Sequence, residues 1–353
     1  MEIDGTPISG DDPYFIAEAG INHNGDLEMA KDLVRVAADA GADAVKFQTF
    51  SADRLVTHDA TKADYQTDSD DDETQYEMLQ RFELDRADHE RLVDFARKQG
   101  ITLLSTPFDD ESADLLADLG LPAIKIGSGE LDNHPFLEHV AGLGRPMVVS
   151  TGMGTMAEVR AARDAIRSVD PDLDVAFLHC TSAYPCPVED VNLRAMERMA
   201  ETLEEPVGYS DHTTLPEMPG FAVAAGACVV EKHFTLDSTL PGPDHEASLE
   251  PDELAQAVEL ASVAARAGGR VEKRPTESER ANIDTVRKSL HAARLLEAGT
   301  VIGADDLDII RPADGLSPTR YRDVIGRTVT RDVDAGEAIS GDDLDSEFDR
   351  GRS

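Results

Sequence analysis

Short runs of apolar residues alternate with longer amphipathic segments from Tyr14 to about residue 268. The short runs predict β-strands at residues 14–19, 43–49, 101–105, 123–127, 146–150, 174–180, 206–210 and 228–232. In the longer segments apolar residues recur every three or four positions, which predicts helices at about 26–40, 86–99, 110–119, 134–142, 155–168, 190–203, 215–226 and 251–267. Eight such strand–helix units over about 255 residues are typical of a TIM (β/α)₈ barrel. A doubly wound open sheet is the alternative, but no glycine-rich fingerprint follows the first strand.

Two stretches depart from this alternation. A long acidic insertion at 51–84 follows the second predicted strand, and we expect a surface excursion on the face where barrel loops can cover ligands. A charged stretch at 269–288 predicts a linker. Beyond it the β-like pieces are short, and the phrases LLEAGTVIGADDL and RDVDAGEAISGDDL resemble each other. The sequence therefore predicts a barrel domain at 1–268, a linker, and a small β-rich domain at 289–347 with a weak internal duplication, followed by a loose tail, EFDRGRS.

Composition narrows the class of protein. The 353 residues include 41% hydrophobic residues, enough for a sizeable core, and no apolar run long enough to span a membrane. The formal net charge of −38 disfavours nucleic acids and anionic lipids as partners and is typical of a halophile's surface. Three cysteines are too few for a disulfide framework, and the N-terminus lacks the pattern of a secretory signal, so we expect a cytoplasmic protein.

Polar residues follow the predicted strands, where TIM barrels carry their chemistry. Only eight of the 33 basic residues are lysines, yet three of them, Lys46, Lys125 and Lys232, lie at or beside strand ends. Taken singly, a Ser or Thr after a strand is usually a helix cap, and a lone lysine is usually solvated or paired. Together, Lys46 and Lys125 with neighbouring hydroxyls indicate an anion pocket, and the hydroxyls are those of Thr106, Ser128 and Ser150.

Two histidines indicate a metal site. His212 and His233 follow adjacent strands, so their imidazoles can share one divalent ion. Two protein ligands leave positions for water and substrate, as in a Lewis-acid site. Glu130 is the best acidic candidate for acid–base work. His23 is ambiguous between reacting and orienting its loop, and Cys228 is ambiguous too, while Cys180 and Cys186 are expected to be packed thiols rather than a metal pair.

The phrases around these residues resemble a known family. AEAGINHNG, KFQTF, STPFD, KIGSGE, STGM, HCTSAYP, VGYSDHT, EKHFTLD and GPDHEASL, in this order, resemble the sialic acid synthases, and SLHAAR…IIRPADGLSP resembles their antifreeze-like (SAF) C-terminal domain. The resemblance implies a TIM barrel joined to a small β-clip domain, in a domain-swapped homodimer. It also implies condensation of phosphoenolpyruvate with an N-acetylmannosamine-type sugar and water to a nine-carbon 2-keto acid and phosphate. The implied metal is Mn²⁺, with Mg²⁺ or Co²⁺ as alternatives.

The resemblance assigns roles motif by motif. His212 and His233 would bind the metal. The residues implied to hold phosphoenolpyruvate are Lys46, Gln48, Thr106, Lys125, Ser128, Ser150 and Ser182, and those implied to hold the sugar are Glu18, Tyr184 and Asp244. Arg311 would reach the N-acyl group in the partner's site. Glu130, Glu18 and Lys46 are the implied catalytic residues, with Glu130 as the base toward water.

Some choices stay open at this point. Some relatives carry Asn at the position of Ser182, and a shorter Ser leaves that contact to water. SAYP resembles enzymes that use a 6-phosphorylated sugar, whereas YSDHT and GPDH resemble those that use the free sugar, which we favour. The sugar itself is not fixed: N-acetylmannosamine, its 6-phosphate and 2,4-diacetamido sugars that lead to legionaminic or pseudaminic acid all fit the pattern.

Other classes of protein are less consistent with the sequence. A phosphoenolpyruvate-dependent octulosonate or heptulosonate phosphate synthase lacks the appended domain. A class I aldolase with Lys46 or Lys125 as the nucleophile leaves the histidine pair without a role. A non-catalytic or ice-binding protein is disfavoured because the C-terminal region is rich in Asp, Glu and Arg.

Overall fold

The computed structural model describes residues 1–10, 12–62, 73–346 and 348, and the chain divides into two units, Met1–Gly269 and Arg270–Ser353. Most of the acidic phrase TDSDDDET, and all of the tail EFDRGRS except Phe348, lie outside the described residues. None of the helices in the described ranges is long and apolar enough to cross a bilayer.

Eight parallel strands form the sheet of the first unit. They are β1 (Tyr14–Gly20), β2 (Ala44–Thr49), β3 (Thr102–Pro107), β4 (Ile124–Ile126), β5 (Met147–Ser150), β6 (Val175–Cys180), β7 (Val207–Asp211) and β8 (Val229–His233). Hydrogen-bonded ladders join them in the order β3-β2-β1-β8-β7-β6-β5-β4, and the end strands β3 and β4 also lie in contact. The prediction of a TIM barrel is confirmed, with every strand within two residues of its predicted bounds.

A helix follows each strand, at the predicted places. These are α1 (Leu27–Asp39), α2 (Arg86–Gln99), α3 (Asp110–Asp118), α4 (His134–Gly142), α5 (Met156–Val169), α6 (Arg194–Thr202), α7 (Met218–Ala224) and α8 (Pro251–Gly268). Asp26 caps α1 by accepting hydrogen bonds from the backbone N–H groups of Glu28 and Met29, at 2.7 and 3.3 Å. Pro251 is the first residue of α8. The backbone N–H at that position of a helix has no partner within the helix, so proline, which lacks it, costs no hydrogen bond there.

The pattern along the chain did not indicate the N-terminal hairpin. Glu2–Ile3 pairs antiparallel with Thr6–Pro7, and Ile3 is fully buried against the cluster that fills the barrel interior, which includes Tyr14 and Leu178. Burying one such side chain contributes roughly 1.5–3 kcal/mol. The hairpin therefore closes the barrel near the amino ends of the strands, away from the face that carries the polar residues.

The described parts of the 51–84 insertion are more than a surface excursion. They form two short helices, Ala52–Leu55 and Gln75–Gln80. Ala52, Met78 and Phe82 are buried in a separate hydrophobic cluster that includes Ile21, just after β1. The described parts are therefore exposed on one side, as expected for a surface excursion, and packed against a barrel loop on the other.

The second unit is small and combines short strands and isolated β-bridges with short helices. The predicted linker contains helix α9 (Glu277–Val286), and β9 (Ser289–Ala292) then pairs antiparallel with β10 (Leu307–Ile310). Short 3₁₀ helices, Ala304–Asp306 and Gly341–Asp343, end the two similar sequence phrases.

The two phrases take the same form. In the first, Asp306 accepts from the Gly303 N–H at 2.9 Å and pairs with Arg294 at 2.7 Å. In the second, Asp343 accepts from the N–H of residue 340 at 2.7 Å and pairs with Arg331 at 2.6 Å. This repetition agrees with an internal duplication.

Candidate active site

A cavity of about 420 Å³ opens at the carboxyl ends of the barrel strands. Its size is within the roughly 300–1,000 Å³ of small-molecule sites. Twelve of the fourteen predicted site residues line it, namely Glu18, Lys46, Gln48, Thr106, Lys125, Ser128, Ser150, Ser182, Tyr184, His212, His233 and Asp244. The closed ring of strands brings these residues together although they are far apart in sequence.

Lys46 lines this cavity and is almost fully buried. Its Nζ donates to Thr106 Oγ1 at 2.9 Å and lies 2.8 Å from Glu18 Oε2 and 3.6 Å from Glu231 Oε2. Burial alone would lower the pKa of Lys46, but the two carboxylates outweigh burial and raise it. Lys46 therefore contributes a permanently charged ammonium group to the lining of the cavity.

Lys125, on β4, is a second buried ammonium group. Its Nζ donates to Ser150 Oγ at 2.6 Å and to the Ile126 carbonyl at 3.0 Å, and it lies 3.7 Å from Glu231 Oε1. Burial lowers the pKa of Lys125 despite the attraction of Glu231, and repulsion by Lys46 adds to the effect. An incoming anion would relieve this cost, so the pair of lysines forms a pocket suited to phosphate or carboxylate.

Glu231 is a site residue that sequence reasoning missed. It occupies the middle of β8, between the two lysines, and accepts a hydrogen bond from Ser210 Oγ at 2.8 Å. Burial opposes its charge, but Lys125 and Lys46 outweigh burial and lower its pKa. Its Oε2 atom is buried without a hydrogen-bond partner. The alternation of β8, which places residues 231 and 233 on the same side, is the signal that would have identified Glu231.

The two predicted metal ligands lie side by side. The imidazole rings of His212 and His233 have centroids 5.5 Å apart, and the Tyr184 ring packs 4.2 Å from that of His212. Nδ1 of His212 donates to the Thr181 carbonyl at 2.7 Å, which leaves Nε2 with a free lone pair. Burial lowers the pKa of both histidines, and repulsion by His212 adds to the effect at His233, so both rings are neutral at neutral pH.

These residues fit a divalent ion. A neutral imidazole held by a backbone carbonyl is the usual form of a metal-binding histidine, and Glu231, two residues before His233 on β8, has a carboxylate oxygen that accepts no hydrogen bond from the described residues. Within the described ranges, no group of three or more His, Cys, Asp and Glu side chains is arranged to hold an ion. An ion held here would take two nitrogen ligands from these histidines, and its remaining positions would be open to small molecules.

Gly152 brings several polar groups close together. Its N–H donates to Ser128 Oγ at 3.0 Å, and Ser128 Oγ lies 3.1 Å from Cys180 Sγ. A Cβ atom at residue 152 would lie 2.3 Å from Ser182 Oγ and 2.8 Å from the Ser128 oxygen and the Cys180 sulfur. Only glycine allows these side chains to converge beside the anion pocket.

Three other predicted residues converge around Gly20. A Cβ atom there would lie 3.3 Å from Glu18 Oε1 and 3.5 Å from both Asp244 Oδ2 and Gln48 Nε2. Burial raises the pKa of Asp244 to about 6, although Lys46 opposes the shift. Burial also raises the pKa of Glu18 against the attraction of Lys46. These carboxyl groups can accept or donate hydrogen bonds to hydroxyl groups near neutral pH.

Two predicted residues do not line the cavity. Glu130 ends a 3₁₀ turn after β4, is half-buried, and accepts a hydrogen bond from Asn133 at 2.6 Å. Arg311 belongs to the second unit, where it is exposed and donates from Nε to the Val286 carbonyl at 2.7 Å. Their predicted roles therefore stay predictions.

His23 does not line the cavity and instead bonds to the backbone of its own loop. It is fully buried, its Nδ1 accepts from the Gly25 N–H at 3.0 Å, and burial lowers its pKa to about 4. The cysteines Cys180, Cys186 and Cys228 are buried free thiols.

The sequence matches known families over nearly its whole length. Residues 33–273 match the NeuB family, and residues 287–345 match the SAF domain. The N,N'-diacetyllegionaminic acid synthase of Legionella pneumophila is 44% identical over 92% of this chain and 93% of its own length. Human N-acetylneuraminate-9-phosphate synthase is 34% identical over 96% of this chain and 95% of its own length.

Solved structures agree with these matches. The N-acetylneuraminic acid synthetase of Leptospira borgpetersenii, solved in complex with citrate, is 32% identical with a TM-score of 0.72, over 80% of this chain and 94% of that one. The spore coat polysaccharide biosynthesis protein spsE of Bacillus subtilis is 34% identical with a TM-score of 0.65, over 98% and 99%. The chain, a (β/α)₈ barrel followed by a SAF domain, belongs to the NeuB family of sialic-acid-type synthases.

Proposed function

We propose that this protein condenses phosphoenolpyruvate with an N-acyl hexosamine and water, giving a nine-carbon sialic-type 2-keto acid and phosphate. The observation that carries the proposal is the convergence of two buried lysines and a neutral histidine pair in one cavity. Relatives named as synthases of legionaminic, pseudaminic and neuraminic acids support the same class of reaction.

The lysine end of the cavity suits phosphoenolpyruvate. Its phosphate and carboxylate groups carry negative charge that Lys46 and Lys125 can neutralise, and such charge-assisted hydrogen bonds are about twice as strong as neutral ones. Hydroxyl groups surround the two ammonium groups and can complete the hydrogen bonds, and they belong to Thr106, Ser128, Ser150 and Ser182.

A second set of cavity residues suits the sugar. Glu18, Asp244 and Gln48 offer hydrogen bonds to hydroxyl groups, and the Tyr184 ring provides a flat apolar surface. His212 and His233 line the same cavity and would hold a divalent ion, for which we propose Mn²⁺. When bound, such an ion supplies Lewis-acid polarisation of the sugar's open-chain carbonyl group.

The protein's own residues then organise the reaction. Lys46 and Lys125 hold phosphoenolpyruvate with its C3 facing the aldehyde, which favours C–C bond formation by proximity. A water molecule adds to C2, and loss of phosphate leaves the 2-keto group. Glu231 Oε2, which lies 3.6 Å from Lys46 Nζ and accepts no hydrogen bond from the residues that the structure describes, can accept one from this water. Glu130, the base proposed from the sequence, is the alternative.

The proposal also covers the oligomeric state, the role of Arg311 and the environment of the enzyme. We propose a homodimer in which Arg311 of one copy serves the site of the other, and a cytoplasmic enzyme adapted to high salt. The acidic composition supports the last point.

Phosphate release tests the proposed function. The protein is incubated in molar KCl with Mn²⁺, phosphoenolpyruvate and, in turn, each N-acyl sugar left open by the sequence. Release that requires both phosphoenolpyruvate and an N-acyl sugar supports the proposal, and no release with any sugar contradicts it. Inactivation by borohydride in the presence of substrate would instead indicate a Schiff-base aldolase.

A further inference from the structure

We infer that His245 is a positioning residue for the sugar, because it fixes the loop that presents Asp244 to the cavity. The inference rests on the proposed function, in which Asp244 binds the sugar, and it adds a residue that does not itself line the cavity. It comes from the hydrogen bonds that tie this loop to the end of β8 and to the loop after β1.

Asp244 lies in the long loop that joins β8 to α8, residues 234–250. The backbone closes the base of this loop, since the Thr235 N–H donates to the Leu249 carbonyl at 2.9 Å and the Leu249 N–H donates to the His233 carbonyl at 3.0 Å. The residues between these ends form no helix or strand. The position of Asp244 therefore depends on the side chains that hold the loop.

Consecutive side chains of this loop point to different places. Asp244 lines the cavity, and its Oδ2 would lie 3.5 Å from a Cβ atom at Gly20. His245 does not line the cavity and is almost fully buried. Its Nδ1 lies 2.6 Å from Thr235 Oγ1, and its Nε2 lies 3.3 Å from Asn24 Oδ1. The imidazole thus joins the loop to the end of β8 and to the loop between β1 and α1.

The directions of these bonds follow from the atoms involved. Asn24 Nδ2 donates to the Pro241 carbonyl at 3.0 Å, which leaves Oδ1 facing the imidazole as an acceptor. Nε2 of His245 therefore carries the proton and donates, and Nδ1 accepts from the Thr235 hydroxyl group. That hydroxyl group accepts in turn from the Asp237 N–H at 3.3 Å. One neutral tautomer makes both ring bonds, so the imidazole is a fixed bridge.

Gly242 shows how closely this bridge is packed. Its φ is +148°, a conformation that other residues rarely adopt, and a Cβ atom there would lie 2.7 Å from His245 Cδ2 and 2.9 Å from Asn24 Oδ1. Only glycine leaves room for the ring and the amide at this point. The backbone therefore runs directly against the bridge two residues before Asp244.

A second set of bonds holds the backbone of Asp244. Ser248 Oγ donates to the Asp244 carbonyl at 2.5 Å and accepts from Asn22 Nδ2 at 3.0 Å. Asn22 Nδ2 also donates to the Phe234 carbonyl at 2.9 Å. These bonds do not involve the imidazole of His245. Loss of the imidazole should therefore shift Asp244 rather than unfold its loop.

Such a shift should weaken sugar binding and spare phosphoenolpyruvate. A displacement of about 1 Å in a site can cost up to about 100-fold, and here it would fall on the carboxylate that bonds the sugar. The two lysines of the anion pocket are held by other residues, namely Glu18, Thr106 and Ser150. The KM values of the two substrates should therefore respond differently.

Steady-state kinetics of the full-length protein test the inference. Phosphate release is measured with Mn²⁺, phosphoenolpyruvate and whichever of N-acetylmannosamine, its 6-phosphate and a 2,4-diacetamido-2,4,6-trideoxy hexose reacts fastest. His245→Phe keeps a ring of similar size and removes both of its hydrogen bonds. We expect it to raise the KM for the sugar about tenfold or more and to leave the KM for phosphoenolpyruvate within about twofold.

His89→Phe is the matched control. His89 is also almost fully buried, and its ring bonds to Thr49 Oγ1 at 2.8 Å and to the Asp85 carbonyl at 2.9 Å. None of these three residues lines the cavity. The variant loses two comparable hydrogen bonds and should leave both KM values within about twofold.

A double variant tests whether His245 acts through Asp244. Asp244→Ala removes the carboxylate that the bridge positions. Adding His245→Phe to it should then change the KM for the sugar by less than about twofold, because two residues that act as a unit are not additive. A further tenfold rise in that background would overturn the inference, since the effect would not pass through Asp244.

Thr235→Val is a milder variant of the same bridge. It removes the hydroxyl group that bonds Nδ1 and keeps a side chain of similar size. We expect a rise of about threefold or more in the KM for the sugar and none in that for phosphoenolpyruvate. If His245→Phe does not fold, Thr235→Val decides the question by itself.

The outcomes separate the inference from the proposed function. An unchanged KM for the sugar in the bridge variants, or an equal rise in the KM values of both substrates, would overturn the inference and leave the proposed function standing. No phosphate release by the unmodified protein with any of the three sugars would overturn the proposed function and the inference together.

Discussion

The ammonium group of Lys232 lies 2.5 Å from the Asp211 carboxylate, and each of these residues directly precedes a cavity histidine in the sequence. Both are fully buried, and they pair across the β7–β8 ladder. Because side chains alternate along a strand, residues 211 and 232 point away from the cavity while His212 and His233 point into it. Lys232 also donates to the Thr213 carbonyl, and Asp211 accepts from the Thr213 N–H at 2.9 Å. The ion pair thus fixes the two chain segments that present the histidines.

Lys232→Met should destabilise the fold strongly. It leaves the Asp211 carboxylate buried without its counter-ion, and breaking a buried pair costs about 3–5 kcal/mol. Denaturant unfolding measures the loss. Lys98→Met, which removes an exposed lysine from α2, is the control and should change the unfolding free energy by less than about 0.5 kcal/mol. Similar stabilities of the two variants would contradict the role given to this pair.

His212→Ala should abolish turnover without unfolding the barrel. The imidazole supplies one of two nitrogen ligands, so calorimetric titration with Mn²⁺ should show at least a tenfold weaker affinity. His139→Ala alters a half-exposed histidine on α4 that pairs with Asp114 and should bind Mn²⁺ as the unmodified protein does.

Removal of the metal by chelation is an independent test of the same site. EDTA treatment of the unmodified protein should stop phosphate release, and added Mn²⁺ should restore it. Full activity after chelation, unchanged by Mn²⁺, would show that the histidine pair has another purpose.

Gly152→Ala should weaken binding of phosphoenolpyruvate. The added methyl group would lie 2.3–2.8 Å from the side chains of Ser128, Cys180 and Ser182, which must then move away from the anion pocket. We expect KM for phosphoenolpyruvate to rise at least tenfold, since shifts of about 1 Å in a site cost up to 100-fold. Gly142→Ala, where a Cβ meets nothing within 4 Å, should leave KM unchanged.

The KM for the sugar should rise as the pH falls through 6. Burial raises the pKa of Asp244 to about 6 against the attraction of Lys46. Above this pH the ionised carboxylate accepts hydrogen bonds from sugar hydroxyl groups, and below it the protonated group loses part of this capacity. Asp244→Asn should bind the sugar weakly with a KM that is flat between pH 5 and 7. A variant that keeps the pH dependence of the unmodified protein would assign that dependence to another group.

Salt should stabilise the folded protein. A net charge of −38 makes the folded state repel itself, and screening shortens from about 10 Å at 0.1 M salt to about 3 Å at 1 M. Thermal unfolding in 0.1 M and 2 M KCl should show a markedly higher Tm at the higher concentration. A Tm independent of KCl would contradict adaptation to high salt.

Much of the barrel was predictable because its sequence signals are local. Each strand is a short apolar run, and each helix has its own stripe of apolar residues. In α1, for example, such a stripe follows the capping residue Asp26. Polar residues at strand ends then identified the cavity, since the ring of strands makes those ends converge. The hairpin at Glu2–Ile3 was missed because two-residue strands have no measurable period and depend on packing against Tyr14.

Parts of the site depend on geometry that the sequence does not reveal. In the sequence, Glu231 is a single charged residue within a predicted strand. Only the closed barrel shows that it lies between Lys46 and Lys125. Glu130 lies one 3₁₀ turn beyond the end of β4, and the direction of that turn determines that it faces Asn133. The packing of the insertion followed only from seeing Met78 and Phe82 buried.

The insertion has a consequence for how such enzymes diversify. Its described residues fold around their own cluster, while the lysines and histidines stand on the strands beneath. Substitutions in the insertion can therefore accumulate without disturbing the bond-making groups. The segment beside the cavity and the groups on the strands can therefore change independently of each other.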